Sequence, residues 1–127
     1  MLFQFVGSLI AILVLAGLAV LLKLGGRPKM TDESSVALAA GEVEDGFKPV
    51  RISIARDGAA ALARDSAGRI MVIKRHGNKF AGRVLTSDAG VREEVDALIV
   101  DPYQPQFGRV RLTLSDAPYW ADAINRL

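Results

Sequence analysis

Residues 70–84 read IMVIKRHGNKFAGRV, and this stretch decides the fold class. It begins with the short apolar run Ile70–Ile73, which has the length of a buried strand rather than that of a helix. After the Gly77-Asn78 pair, Phe80, Gly82 and Val84 alternate with Lys79, Ala81 and Arg83. Such alternation is typical of a half-buried strand, and a Gly-Asn pair between two strand-like runs favours a hairpin turn. The stretch therefore predicts two antiparallel strands.

Strand-like patterns recur on both sides of this hairpin. Three further segments are Val50, Ile52 and Ile54, the β-branched run Val95–Val100, and Val110, Leu112 and Leu114. Turn signals separate the segments at Asp57-Gly58, Ser66-Ala67-Gly68, Asp88-Ala89-Gly90 and, more loosely, Pro102 to Gly108. Several short strands joined by turns predict an antiparallel β-meander of about six strands.

The last residues follow a helical period instead. Trp120, Ala123, Ile124 and Leu127 recur at the spacing of one helix face, Ser115 or Asp116 is suited to cap the helix, and Pro118 falls in its first turn. A helix this short is stable only when it docks, so we expect its Trp120 face to pack on the sheet. The fold class is α+β. In outline, a strand meander closed by a helix that carries a tryptophan resembles a small pleckstrin-homology-like barrel, a resemblance of layout that implies no site residue.

The N-terminal residues have the composition of a membrane span. Residues 1–22 carry no charged side chain and 18 of them are apolar. A helix of about 22 residues is roughly 33 Å long, enough to cross a hydrocarbon core of about 30 Å. A cleaved signal peptide is the alternative, but it requires a positive segment before the apolar run. We therefore predict that residues 1–24 are a retained transmembrane anchor.

Charges beside the span predict its orientation. Lys23, Arg27 and Lys29 follow it closely, and the positive-inside rule counts lysine and arginine. We expect a single-pass protein of the cell membrane, with its N-terminus outside and its C-terminal domain cytoplasmic.

Residues 25–48 are predicted to connect the anchor to the domain. Gly25, Gly26 and Pro28 end the membrane helix and form a basic juxtamembrane segment with Arg27 and Lys29. Residues 30–48 carry five acids against Lys48 alone and show no sustained period. We interpret them as a flexible acidic linker, so the small β-rich domain spans residues 49–127.

The chain offers few residues for catalysis. It contains no cysteine and one histidine, His76, which excludes thiol nucleophiles, cysteine-based zinc sites and clusters of two histidines. His76 lies beside the predicted Gly77-Asn78 turn, where a solvated side chain is the simplest interpretation. No phosphate-binding glycine pattern is present, and the acids Glu93, Glu94, Asp96 and Asp101 lack the spacing of a calcium loop. We predict no catalytic residue, no metal or cofactor site, and no enzyme.

The uneven feature of the domain is its basic residues. The candidates for contact with an anionic surface are Arg51, Lys74, Arg75, Lys79, Arg83, Arg109 and Arg111. If their strands are adjacent, one face of the domain is positive. A plain solvated sheet face explains such a pattern, and so does contact with anionic lipid headgroups beside the anchor. Nucleic acid is disfavoured, because no exposed aromatic residues alternate with these charges.

These observations predict a membrane-anchored, non-enzymatic accessory or binding module. It is expected to be a small subunit or partner of a membrane protein assembly. The alternatives are a domain that reads lipids of the inner leaflet, a structural anchor whose domain only blocks or spaces its neighbours and, with less support, an enzyme that uses carboxylate and arginine chemistry.

Overall fold

Seven antiparallel strands form two sheets in the computed structural model, which describes residues 29–127. The elements are α1 (Glu33–Val43), β1 (Pro49–Ile54), β2 (Ala60–Asp65), β3 (Ile70–His76), β4 (Lys79–Val84), β5 (Gly90–Glu94), β6 (Ala97–Asp101), β7 (Val110–Thr113) and α2 (Ala117–Asn125). Strands β1 to β4 follow one another in sheet A, and β5 to β7 do so in sheet B. The α+β class, the antiparallel meander and the C-terminal helix are confirmed.

The structure contains seven strands where the sequence predicts about six, and the named strand patterns account for five of them. The strand patterns left out β2, which begins Ala-Ala-Leu-Ala, and β5, which ends in Glu93 and Glu94. Alanine and glutamate are poor strand formers on their own, so neither segment has a strand-like composition. Pairing with their neighbours makes both of them strands, because β2 lies between β1 and β3 and β5 pairs with β6.

Sheet A is covered on both faces. On one face, Leu62 and Val72 belong to a buried cluster that also includes residues of sheet B and α2. On the other face, Ala63 and Met71 pack in a second buried cluster with α1. The meander is therefore the middle layer of the fold, between a helix and a second sheet.

Helix α1 corrects the prediction of a flexible linker. Its first turn is capped by Asp32, whose side chain accepts a hydrogen bond of 2.8 Å from the Ser35 backbone N–H. Val36 and Ala40 are fully buried against sheet A. The helix was not apparent from its apolar period because alanines provide most of its buried side, and an alanine-rich stretch contrasts weakly with its polar neighbours. Residues 33–43 thus belong to the folded part of the protein.

Helix α2 docks through its tryptophan, as predicted. Trp120 is fully buried, and its Nε1–H donates to Ser53 Oγ at 2.8 Å and to Asp116 Oδ2 at 3.1 Å. Asp116 precedes the helix but makes no side-chain cap, since its carboxylate also accepts from Ser53 Oγ at 2.5 Å. One of the two residues expected to cap the helix, Asp116, therefore joins it to β1 instead.

The predicted membrane anchor, residues 1–24, lies outside the described residues, as do residues 25–28. Within residues 29–127, neither helix is long and apolar enough to cross a bilayer.

Candidate functional site

The seven basic residues predicted to contact an anionic surface do not share one face. Strand register and burial divide them into three groups: Arg51, Lys74, Lys79 and Arg83 on the face of sheet A toward sheet B, Arg75 on the opposite face of sheet A, and Arg109 and Arg111 on sheet B. The condition for one positive face, that their strands are adjacent, is therefore not met. The side chains alternate as expected, but they belong to two sheets that pack on each other.

Two of the seven hold a loop in place. Lys74 Nζ donates to the backbone oxygen of Phe107 and lies 4.4 Å from the centre of its ring. Arg83 Cζ is 5.1 Å from the same ring centre, and Arg83 Nε donates to Gln104 Oε1 at 2.8 Å. These contacts fasten the β6–β7 loop to sheet A, so binding an anion here would compete with the fold.

Arg51 is committed in a similar way to helix α2. Its Cζ lies 3.5 Å from the centre of the Tyr119 ring, and its Nη2 lies 3.4 Å from Asp116 Oδ2. Cation–π stacking and an ion pair both tie this guanidinium to the helix. Lys79, by contrast, is exposed beside the β3–β4 turn. Arg75 lies next to Phe80 in register, on the side of sheet A where α1 packs.

The outer face of sheet B is the uncovered sheet face of the described residues. Arg92 in β5, Ile99 in β6 and Arg111 in β7 lie side by side in register. Together with Arg109 they line a shallow depression of about 530 Å³. We call Arg92, Ile99, Arg109 and Arg111 the arginine face. Ile99 is half-buried and the three arginines are exposed, which leaves an apolar floor with guanidinium groups around it.

The arginines of the arginine face have only weak ion-pair partners or none within residues 29–127. Arg109 Nε is 3.4 Å from Asp101 Oδ2, and Arg111 Nη2 is 3.4 Å from Glu94 Oε2, with arginine side chains 77% and 60% exposed. Within residues 29–127, the Arg92 side chain has no hydrogen bond or ion pair. Exposed ion pairs contribute about 0–1 kcal/mol, so an incoming acid can replace them at little cost. Three guanidinium groups against two carboxylates leave this surface with a net positive charge.

An exposed tyrosine lies beside the arginine face. Tyr103 is 73% exposed and has a φ of +60°, a left-handed conformation that a bulky residue rarely adopts. Its backbone N–H donates to Asp101 Oδ1 at 2.9 Å, which holds the turn. A second depression of about 400 Å³ is lined by Tyr103 and Pro105, and it shares Asp101 and Arg109 with the first. The two depressions form one continuous surface of arginines, an isoleucine and a tyrosine.

Sequence reasoning missed Arg92, Ile99 and Tyr103 as parts of this surface. Arg92 precedes Glu93 and Glu94, so the local sequence carries a net negative charge and does not indicate a basic surface. Its role depends on the register that places it opposite Ile99, which a single sequence does not contain. Tyr103 lies in the segment interpreted only as a turn. The available signal was an aromatic residue in a loop, which is a common feature of binding surfaces.

Guanidinium groups donate hydrogen bonds and keep their charge, so the arginine face is suited to binding carboxylates or phosphates rather than to moving protons. Within residues 29–127, no group of three or more acidic or histidine side chains is placed to hold a metal ion. The buried carboxylate of this part of the chain, Asp65, is used within the β2–β3 hairpin. Burial would raise the pKa of Asp65, but hydrogen bonds from the side chain and backbone of Arg69 hold that pKa below its ordinary value.

Comparison of the chain with protein-family models, with curated proteins and with solved structures finds no significant match. The fold and the arginine face are therefore the features that bear on function.

Proposed function

We propose that this protein is a single-pass, membrane-anchored accessory or binding module that has no enzymatic activity. In this proposal, residues 1–24 form the anchor, the N-terminus is outside, and residues 29–127 lie on the cytoplasmic side of the cell membrane. The uncharged run and the basic residues that follow it support this arrangement. The module serves as a small subunit or partner of a membrane protein assembly.

The observation that carries the binding role is the uncovered arginine face. An antiparallel sheet is stable with only one of its faces packed, so an uncovered face alone does not indicate a binding site. Composition makes the difference, because Arg92, Arg109 and Arg111 surround Ile99, and Tyr103 stands at the border. Arginine and tyrosine are, with tryptophan, the residues that most often dominate binding energy in protein interfaces. The positive charge favours an acidic surface on the partner protein.

The layout supports a binding module as well. We propose that the two sheets and α2 form a small pleckstrin-homology-like barrel. Seven strands divided four and three, closed by a helix that carries a buried tryptophan, support this assignment. It transfers no residue roles, because the fold alone does not define a site.

A lipid-reading domain is the alternative, and it has less support. Lys74 and Arg83 were two of the residues predicted to contact headgroups, and both are bound to the Phe107 loop. The enzyme alternative would have to use Glu94 or Asp101, which are paired with arginines on an open surface. Binding of an acidic protein to the arginine face does not require the contacts of the Phe107 loop to break.

Site-specific photo-crosslinking in the membrane tests the proposal. A photoreactive phenylalanine analogue replaces Tyr103 at the border of the arginine face or, as a control, Leu38, which is exposed on α1. We expect a protein adduct at position 103 and none of the same size at position 38. Mass spectrometry of the purified adduct should place the crosslink in an acidic segment of the partner.

Charge reversal then shows whether the arginines hold the partner. The double variant R92E/R111E should abolish the adduct at position 103. The matched variant K48E/R126E changes the charge by the same amount at exposed residues elsewhere and should keep it. An adduct that survives R92E/R111E, or one made only with lipid, would contradict the proposal.

A further inference from the structure

The chain joins the folded domain at the β1–β2 turn. Met30 is buried, and its backbone N–H donates to the Gly58 oxygen at 2.9 Å. Gly58 has a φ of +70°, and a Cβ added there would lie 3.0 Å from Lys29 Cβ. The close backbone contact needs a glycine at this point. Residues 29–30 are thus fixed to the domain rather than free to swing.

Three hairpin turns meet at this end of the domain. The β1–β2 turn is joined to β3 by a hydrogen bond of 2.7 Å from the Arg75 N–H to the Ala59 oxygen. The Arg56 N–H donates to the Thr113 oxygen at 3.1 Å, which joins the same turn to the end of β7. The Leu114 N–H in turn donates to the Asp96 oxygen at 3.1 Å, which adds the β5–β6 turn. We call the turns at residues 55–59, 77–78 and 95–96 the three-turn end.

We propose that the three-turn end rests on the headgroup layer of the bilayer that holds residues 1–24. This inference builds on the proposed function, since it requires the anchor. Only residues 25–28 separate the anchor from Lys29, and four extended residues reach at most about 14 Å. An anchor so close to the β1–β2 turn brings this end of the domain to the membrane surface.

The side chains of the three-turn end suit that position. Val95 is 91% exposed at the tip of the β5–β6 hairpin, where an apolar side chain gains from entering the headgroup layer. Lys79 is exposed beside the neighbouring turn, and Lys29 and Arg56 line one depression of about 290 Å³. Long basic side chains place their charge among lipid phosphates while their stems contact apolar groups.

Acids lie at both ends of the domain, so the orientation rests on the short connection to the anchor and on Val95. Asp57 accepts a hydrogen bond of 2.9 Å from the Ala59 N–H in its own turn, Asp96 is the other acid of the three turns, and Glu93 and Glu94 are exposed just before Asp96. At the opposite end, Glu44, Asp45 and Asp88 are exposed. Lys48 and Arg69 are exposed there as well. Since β5 to β7 run between the two ends, the arginine face then stands upright beside the membrane and faces neighbouring membrane proteins.

Single cysteines make the orientation measurable, because the natural chain contains none. Val95→Cys and Asn78→Cys place a label at the three-turn end, and Ser66→Cys and Ser87→Cys place one at the opposite end. All four positions are exposed turn residues. The full-length chain carries an environment-sensitive fluorophore at each position and is reconstituted into vesicles of three parts phosphatidylcholine to one part phosphatidylglycerol. Spin-labelled lipids in the same vesicles quench fluorophores that lie near the headgroups.

We expect a blue-shifted emission and strong quenching at positions 95 and 78, and quenching several-fold weaker at positions 66 and 87. Equal quenching at both ends, or stronger quenching at position 87, overturns the orientation. Flotation of the same samples and carbonate extraction report on the anchor separately. A chain that washes off the vesicles refutes the proposed function, whereas a chain that stays anchored without quenching at position 95 refutes only this inference.

Discussion

Sheet A and sheet B are both antiparallel meanders, but they differ in how many of their faces are covered. In sheet A, α1 packs on one face and sheet B with α2 packs on the other. In sheet B, the inner face contributes Leu98, Val100 and Leu112 to the shared core, while the outer face carries the arginine face. Both faces of sheet A therefore contribute to the core, whereas the outer face of sheet B stays uncovered.

Basic residues in the two sheets differ in the same way. Lys74 and Arg83 on sheet A contact Phe107 and its loop, so their charges contribute to the fold. Arg92 on sheet B has no side-chain partner within residues 29–127, and Arg111 has a loose, exposed one. Basic side chains that look alike in the sequence thus have two roles: some stabilise the fold, and others remain available to a partner.

Adjacent residues of β6 provide the largest expected contrast. Leu98 is fully buried between the sheets, whereas Ile99 is half-buried on the outer face. Leu98→Ala should lower the free energy of unfolding by about 2–5 kcal/mol, through lost burial and a cavity. Ile99→Ala should cost about 1 kcal/mol or less, since it removes little buried surface. Chemical denaturation of residues 29–127, followed by the fluorescence of the single tryptophan, measures both.

Equal costs for Leu98→Ala and Ile99→Ala would contradict the comparison. That result would mean that the outer face of sheet B is covered in solution. Repeating the titration at several protein concentrations would then show whether a second copy provides the cover, because self-association makes the midpoint depend on concentration.

Two glycines give a smaller contrast. A Cβ at Gly82 would lie 2.9 Å from Val43 Cγ2 and 3.2 Å from the Val72 oxygen, whereas a Cβ at Gly90 meets nothing within 4 Å. Gly82→Ala should cost about 1–3 kcal/mol, because the methyl group pushes α1 away from sheet A. Gly90→Ala should stay within about 0.5 kcal/mol of the natural protein, or stabilise it slightly through the unfolded state.

Limited digestion with a glutamate-specific protease adds a local measurement to this second prediction. Glu42 and Glu44 are exposed at the end of α1, so displacement of the helix should speed cleavage there in Gly82→Ala and leave it unchanged in Gly90→Ala. If Gly82→Ala is neither destabilised nor cut faster, α1 does not pack closely on sheet A. The two sheets would then not differ in how many of their faces are covered.

The sequence predicts the strands that carry their own pattern. Ile70–Ile73 is apolar throughout, as a strand buried on both faces requires, and it lies at the centre of sheet A. Helix α2 is equally readable, because Trp120 and Ile124 stand out from polar neighbours. Strand β2 and helix α1 are not, since alanine is compatible with strand, helix and loop. Their structure is decided by what packs on them, which is a tertiary property.

The candidate site is less predictable than the fold. Alternation correctly places Arg109 and Arg111 on an exposed side, but it does not say which sheet each strand joins. That information separates Arg111 from Arg83 and places Arg92 and Arg111 on either side of Ile99. The loop from Pro102 to Gly108 has no hydrophobic period. The sequence therefore predicts neither the contact of Lys74 with Phe107 nor the exposed position of Tyr103.

The smallest expected effect on stability compares two arginines, one from each sheet. Arg83→Ala removes the hydrogen bond to Gln104 and the contact with the Phe107 ring, and should cost about 1 kcal/mol. Arg92→Ala removes a side chain without a partner in the described part of the chain, so its change should lie within about 0.5 kcal/mol. The order should reverse for binding, because Arg92→Ala should weaken the crosslink at position 103 more than Arg83→Ala does. Denaturation curves and crosslink yields of the two variants, measured side by side, give both orders. A substantial loss of stability in Arg92→Ala would show that the guanidinium already has a structural partner, and the arginine face would then belong to the fold rather than to a binding surface.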